Sequence, residues 1–172
     1  MNMMLKPQDI LVLLKLVSLD SEKWSYSSLS KELFMSQSEV HAGIQRATIS
    51  RLYSQPDQRP ILSNLEEFLI HGIKYSFPPE LGTKTRGIAT SYGAIPLKNL
   101  LVQENELPPV WPYFKGKVQG ISFPPLYKSV PQASLKDQEL YELLTIVDAL
   151  REGRVRDRKY AIQELQNRIY QK

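Results

Sequence analysis

Cysteine is absent from the 172 residues. Disulfides, thiolate nucleophiles and cysteine-based zinc sites are thereby excluded, and a reducing cytoplasm suits the composition. Histidine is scarce: His41 and His71 are far apart in sequence and share no HExxH-like spacing. No GxSxG occurs, and Glu66-Glu67 and Glu104/Glu106 are adjacent or near-adjacent carboxylates rather than a spaced acid/base pair. Gly82 and Gly87 have the spacing of a phosphate-binding loop. Ile88 and Ala89 stand where that loop needs Lys and Ser/Thr to hold phosphate and metal. Neither enzymatic activity, nor a cofactor, nor a metal is expected. A long apolar run is also missing. "ILVLLKLVSL" is about half the roughly 20 residues a bilayer span requires, and Lys15 interrupts it. The opening "MNMMLKPQD" sets an acid before that run and no small-residue cleavage site follows, so neither a signal peptide nor a membrane partner is expected.

What is present suits a small globular protein. The length fits one domain, or one domain with an extension, and 42% hydrophobic residues can fill a core. The net charge of +4 is mildly basic, which is compatible with nucleic acid. Pro7 fits the first turn of a helix, where its missing N–H costs nothing. That helix should run to about Leu19. Ile10, Leu13, Leu14 and Val17 form one stripe, and Leu11, Val12 and Leu16 extend it almost all round. Such a helix is buried on more than one side, in the core or at a dimer seam.

"SLDSEKWSYSSL" is a turn-rich link. Ser27 or Ser28 can cap a short second helix carrying Leu29 and Leu33 inward. Ser36-Gln37-Ser38-Glu39 is a capping box, a serine followed three residues later by a glutamate, and it starts a third helix. There Val40, Ile44 and Ala47 face inward. Ser38, His41, Gln45 and Thr48 line the other side, with Arg46 beside them. Two helices joined by a tight turn, the second with a donor-rich outer face, make a helix-turn-helix. Gln can bond adenine bidentately and Arg guanine, while Ser and Thr reach bases or phosphates. An ordinary solvated face is the alternative.

"YSSLSKELFMSQSEVHAGIQRA" resembles the helix-turn-helix of winged-helix bacterial regulators, especially those labelled MarR-type. With "FLIHGIKYSFPPE", "TRGIAT" and "PVWP", the whole chain resembles a group of small bacterial proteins given that label. The resemblance implies a winged helix and DNA binding. Many such motifs have glycine in the turn between the helices; here the turn is Phe34-Met35.

Beyond Tyr53 the chain breaks at "SQPDQRP". Asn64 can cap a helix "LEEFLIHG" with Leu65, Phe68 and Leu69 inward. Gly72 would stop it, and His71 near its end would offset the helix dipole. "IKYSF" then reads as a strand, and Gly87 to Thr90 as another. Strand, glycine loop, strand is how a wing reads, with Lys84 and Arg86 at its tip as phosphate contacts. A solvated loop is the alternative. Seven of the twelve prolines lie between Pro96 and Pro131, which excludes a long helix there. Trp111, Tyr113, Phe114, Phe123 and Tyr127 are too many aromatics for a disordered linker. An ordered extended arm is expected, with "KVQGISF" as a short strand. Leu140, Leu143, Leu144, Val147 and Leu150 then mark a helix that Gly153 ends. Ala161, Ile162, Leu165 and Ile169 mark its hairpin partner. Five basic residues between Arg151 and Lys159 read as a solvated face or a contact with phosphate or an acidic partner.

The expected fold is mainly α with a small β wing (α+β). Residues 1–95 would form a winged helix-turn-helix, 96–134 a proline- and aromatic-rich arm, and 135–172 a helical hairpin. The expected function is sequence-specific binding of double-stranded DNA by a cytoplasmic bacterial transcription regulator. Ser36, Ser38, His41, Gln45, Arg46, Thr48, Lys84 and Arg86 would make the contacts. A homodimer is expected, because paired half-sites raise affinity and because helix 1 and the hairpin carry more apolar surface than one small domain should bury. The second reading is a module that holds another protein, such as the neutralising half of a toxin–antitoxin pair; a diverged nucleic-acid-processing enzyme is the third.

Overall fold

The computed structural model of the chain describes residues 3–101 and 106–170; Glu104 lies outside them. The fold is mixed α and β: helices surround one core, with a two-stranded hairpin and a small three-stranded sheet. At its centre is α1 (Pro7–Leu19), with every residue from Asp9 to Val17 buried. Pro7 opens it, and the Asp9 carboxylate accepts the Lys6 N–H at 2.8 Å. Lys15 is buried within this apolar helix because its Nζ meets Asp137 at 2.7 Å and Glu32 at 2.5 Å.

The second helix, α2 (Tyr26–Leu33), is capped by Ser25 rather than Ser27 or Ser28. Ser25 and Ser28 exchange backbone-to-hydroxyl bonds, which satisfies two amides at the helix start. It closes at Phe34, which takes the left-handed conformation (φ 54°) that glycine usually supplies. The third helix, α3 (Gln37–Ile49), starts at the expected serine, and Ser36 Oγ accepts the Glu39 N–H at 3.1 Å; the other half of the expected capping box does not form, because the Glu39 carboxylate turns to Gln8 and Arg46. Val40, Ile44 and Ala47 are buried as expected.

Directly after α3, β1 (Tyr53–Ser54) and β2 (Arg59–Pro60) form an antiparallel hairpin at the stretch read as a chain break. Ser54 Oγ donates to Asp57 at 2.6 Å across its turn. Burial pushes the Tyr53 hydroxyl up to about 12. A continuous helical rod follows: α4 (Leu62–Glu67), a widened π turn (Phe68–Gly72) and α5 (Ile73–Ser76). This corrects four expectations. Asn64 donates to the Arg51 carbonyl at 2.8 Å instead of capping the helix. Gly72 does not stop it, and "IKYS" is helical rather than a strand. Leu65, Leu69 and Ile73 are all buried, so the four-residue stripe continues through the glycine. His71 is exposed within the rod, not at its end.

β3 (Lys84–Ala89) runs antiparallel to both β4 (Pro109–Pro112) and β5 (Val118–Ser122), and those two pair in parallel. Each strand thus bonds to both others, and the sheet closes into a barrel. Closure this tight leaves no room inside for side chains. A Cβ at Gly87 would sit 1.9 Å from the Trp111 carbonyl oxygen, and one at Gly120 2.1 Å from that of Pro108. Residues 109–112 and 118–122 of the proline-rich stretch are thus strands, so "KVQGISF" does hold one, but they complete a barrel with β3. Lys84 and Arg86 lie along β3, not at the tip of a wing loop.

Past α6 (Val130–Lys136), α7 (Gln138–Glu152) and α8 (Val155–Tyr170) make the helical hairpin. Gly153 ends α7 in the left-handed region (φ 71°). Asp148 of α7 joins the hairpin to the barrel. Its Oδ2 accepts from Trp111 Nε1 and Thr90 Oγ1, each at 2.7 Å, and its Oδ1 from Arg151 at 2.8 Å. Burial pushes the Asp148 carboxyl up, against the charge of Arg151 and these donors. Arg151 also donates to the Phe77 and Pro124 carbonyls, both at 3.0 Å.

Leu14 and Ile44, Trp111 and Phe123, and Leu144 and Leu165 belong to one core, so the stretches 1–95, 96–134 and 135–172 all contribute to it. The apolar residues of α1 and α7 are consumed within it, which removes the surplus apolar surface given as a reason for a dimer. The basic run divides: Arg151 is buried and Arg154 and Arg158 are half-buried, while Arg156 and Lys159 are exposed. Arg158 donates to the Ile70 carbonyl in the π turn at 2.7 Å. Arg156 pairs with Asp157 at 2.8 Å, and Arg154 lies 4.5 Å from the Tyr92 ring centre. No helix of the described residues is long and apolar enough to cross a membrane.

Candidate nucleic-acid interface

The helix-turn-helix is positioned by α1. Packing on α1 buries Leu29 and Leu33 of α2 and Val40 and Ile44 of α3. The opposite face of α3 is left open. Ser36 and Ser38 are exposed, with hydroxyls 3.2 Å apart, although Ser36 is already engaged as the cap. His41 is exposed, its ring 5.3 Å from that of Tyr26, which in turn meets Trp24 edge-on at 5.5 Å. Gln45 is half-buried one turn further on. Thr48 is half-buried too, and its hydroxyl donates to the Ile44 carbonyl at 2.7 Å, so its oxygen remains as an acceptor. Beyond it Ile49 is half exposed, the one large apolar side chain on this face.

Arg46 does not join them. Only 7% of it is exposed, and it points back to α1. Its Nε and Nη2 donate to the two carboxylate oxygens of Asp9 at 2.8 and 2.7 Å, and Nη2 reaches Glu39 at 3.2 Å. The bonds to Asp9 raise its affinity for its proton. Glu39 also accepts from Gln8 at 2.9 Å, and Gln8 first, then Arg46, hold its carboxyl below the usual value against burial. A guanidinium in a bidentate buried pair is not available to a guanine. The assignment of Arg46 as a base contact is therefore corrected to a bolt between α3 and α1.

Exposed cations flank the open face at both ends. At the turn, Lys136 of α6 stands over Phe34 with its Nζ 4.6 Å from the ring centre, and Lys31 of α2 is exposed. Beyond the end of α3, Arg51 is exposed, as is Arg59 on β2 of the hairpin. Lys84 and Arg86 are exposed but belong to a different face. The packing order runs from α3 to α1, from α1 to α7, and from α7 through Asp148 to the barrel. No family model, curated protein or solved structure matches this chain.

The distribution of charge supplies a signal that motif reading passes over. Residues 81–136 hold seven basic and two acidic residues, while the rest of the chain holds fifteen basic and sixteen acidic. The basic excess thus lies in the barrel strands, the segments that join them and the stretch from there through α6. Among the described residues no group of three or more His, Asp or Glu side chains could hold a metal ion.

Proposed function

We propose that this chain is a sequence-specific DNA-binding protein of winged helix-turn-helix type, acting as a transcription regulator. One observation carries the reading: α3 follows α2 after a three-residue turn and turns outward a face of Ser38, His41 and Gln45 flanked by unburied cations. The order α1, α2, α3 and then an immediate antiparallel hairpin supports it. In this proposal β1–β2 is the wing, in place of the strands around Lys84. Gln45 and His41 read base edges in the major groove, Ser38 contacts a base or phosphate, and Lys31, Lys136, Arg51 and Arg59 meet the phosphates on either side. A homodimer on two half-sites belongs to the proposal on affinity grounds, since one helix reads few base pairs.

Selection of binding duplexes from a random pool tests this. An enriched motif is expected. Gln45→Ala should lower discrimination at one position of that motif by about 1–3 kcal/mol, with the melting temperature nearly unchanged because among the described residues the side chain makes no hydrogen bond. Failure to enrich any motif, or a Gln45→Ala protein with the parental specificity, would sink the assignment.

A further inference from the structure

We propose that the outer face of the barrel is a second nucleic-acid contact, separate from α3, which takes a single strand by its phosphates and stacks a base on Phe114. The face is built around one close approach. The Tyr113 N–H donates to the Arg86 carbonyl at 3.2 Å, which pins the β4–β5 turn across β3. Gly116 then lies so near Gly87 that a Cβ on it would be 2.4 Å from the Gly87 carbonyl carbon. Lys115 and Lys117, on either side of Gly116, are thereby held beside Arg86. Lys84 and Arg86, two residues apart on one strand, project from the same side roughly 7 Å apart. All four are exposed, and among the described residues none of them takes part in an ion pair.

Charge complementarity identifies the partner. Neither residues 81–103 nor residues 107–136 contain an Asp or Glu, so nothing in the strands or the turn offsets these four cations. A polyanion laid along the strands and the turn would meet their positive charge. Phe114 narrows the choice. It is 76% exposed at the head of the turn, beside Tyr113 at 5.2 Å and with the Lys115 Nζ 5.4 Å from its ring centre. An exposed aromatic among cations that track a backbone is how sequence-tolerant single-strand sites are made, because every base has a face to stack. In a duplex the bases already stack on one another. In the packing order α1 and α7 stand between the barrel and α3, so the two contacts are made by different elements.

The test is fluorescence anisotropy with a labelled oligothymidylate and a duplex of equal length. The parent should bind the single strand, with Lys84→Ala/Arg86→Ala and Lys115→Ala/Lys117→Ala each lowering its affinity. Each cation removed should flatten the slope of log affinity against log salt by about 0.7. Phe114→Ala should weaken it by about 5- to 150-fold and leave the salt slope unchanged. Gln45→Ala should alter duplex specificity and not single-strand affinity, so failure of the α3 reading is told apart from failure of this one. Because all these side chains are exposed, unchanged circular dichroism and melting are expected; Lys115→Glu/Lys117→Glu supplies a stronger perturbation at the same place. Oligothymidylate binding indifferent to all of these changes would overturn the proposal. So would binding of phosphatidylserine vesicles or polyglutamate, with the same lysine dependence, by a protein that ignores oligothymidylate.

Discussion

At Arg46 the guanidinium lies between two carboxylates of different exposure. The Asp9 side chain has no exposed surface, and that of Glu39 is about one third exposed. Truncating the arginine would leave the Asp9 charge buried with, among the described residues, only the Lys6 N–H to satisfy it. Breaking such a pair from one side costs about 3–5 kcal/mol. For a chain of this size that lowers the melting temperature by roughly 6–20 °C. Arg46→Ala should therefore melt early yet retain the sequence preference of the parent at temperatures where it is folded. Calorimetry with a specificity profile checks both halves, and a stable protein with altered specificity would return Arg46 to the DNA face. The sequence hid this because Asp9 is 37 positions upstream. Helical spacing puts Arg46 at the border of the polar face, and only the partner decides which way a long side chain turns.

Elements with their own local signals were legible. The bounds of α1 follow from Pro7 and its apolar run, the start of α3 from Ser36, and the end of α7 from Gly153. The barrel was not, since β3 finds its partners more than twenty residues downstream in strands of four and five residues. No periodicity within so short a strand announces its partners. Gly72 misled in another way: a glycine reads as a stop, yet the buried stripe resumes at Ile73. Asp137 shows how one such local signal also ties elements together. It caps α7 by accepting the Leu140 N–H at 3.0 Å and pairs with Lys15 of α1. Burial would raise its carboxyl, but the bonds from Lys15 and Leu140 prevail and hold it below the ordinary value of 3.8. A carboxylate depressed by folding contributes stability that is complete above its unfolded value and is lost as pH falls through the folded one. Asp137→Asn should thus be destabilised relative to the parent at pH 7, and the gap should close progressively below about pH 4. Urea melts of both proteins from pH 7 to pH 2.5 would show it. A gap independent of pH would mean that cap geometry, not the ion pair, is what Asp137 supplies.

Across the whole molecule, charge and packing divide it differently. Charge separates a basic barrel from a nearly balanced helical body. Packing joins them, because Trp111 and Thr90 bond to Asp148 of α7 while Arg151 one turn on holds the Phe77 and Pro124 carbonyls. If those bonds govern, barrel and helices unfold together, as a single small domain does. The chain carries its own reporters, with Trp111 fully buried at the barrel and Trp24 beside the helix-turn-helix. In Trp24→Phe, Trp111 fluorescence should lose its buried character at the same urea concentration at which far-ultraviolet circular dichroism loses the helices. Asp148→Asn weakens the acceptor of the Trp111 and Thr90 bonds and strands Arg151, at a cost of about 3–5 kcal/mol. It should move both midpoints together by at least about 1 M urea. Were Trp111 to be exposed first while the helical signal persisted, the barrel would be an appendage. Its single-strand contact could then open independently of α3, and the two faces would act as tethered modules rather than as two sides of one rigid body.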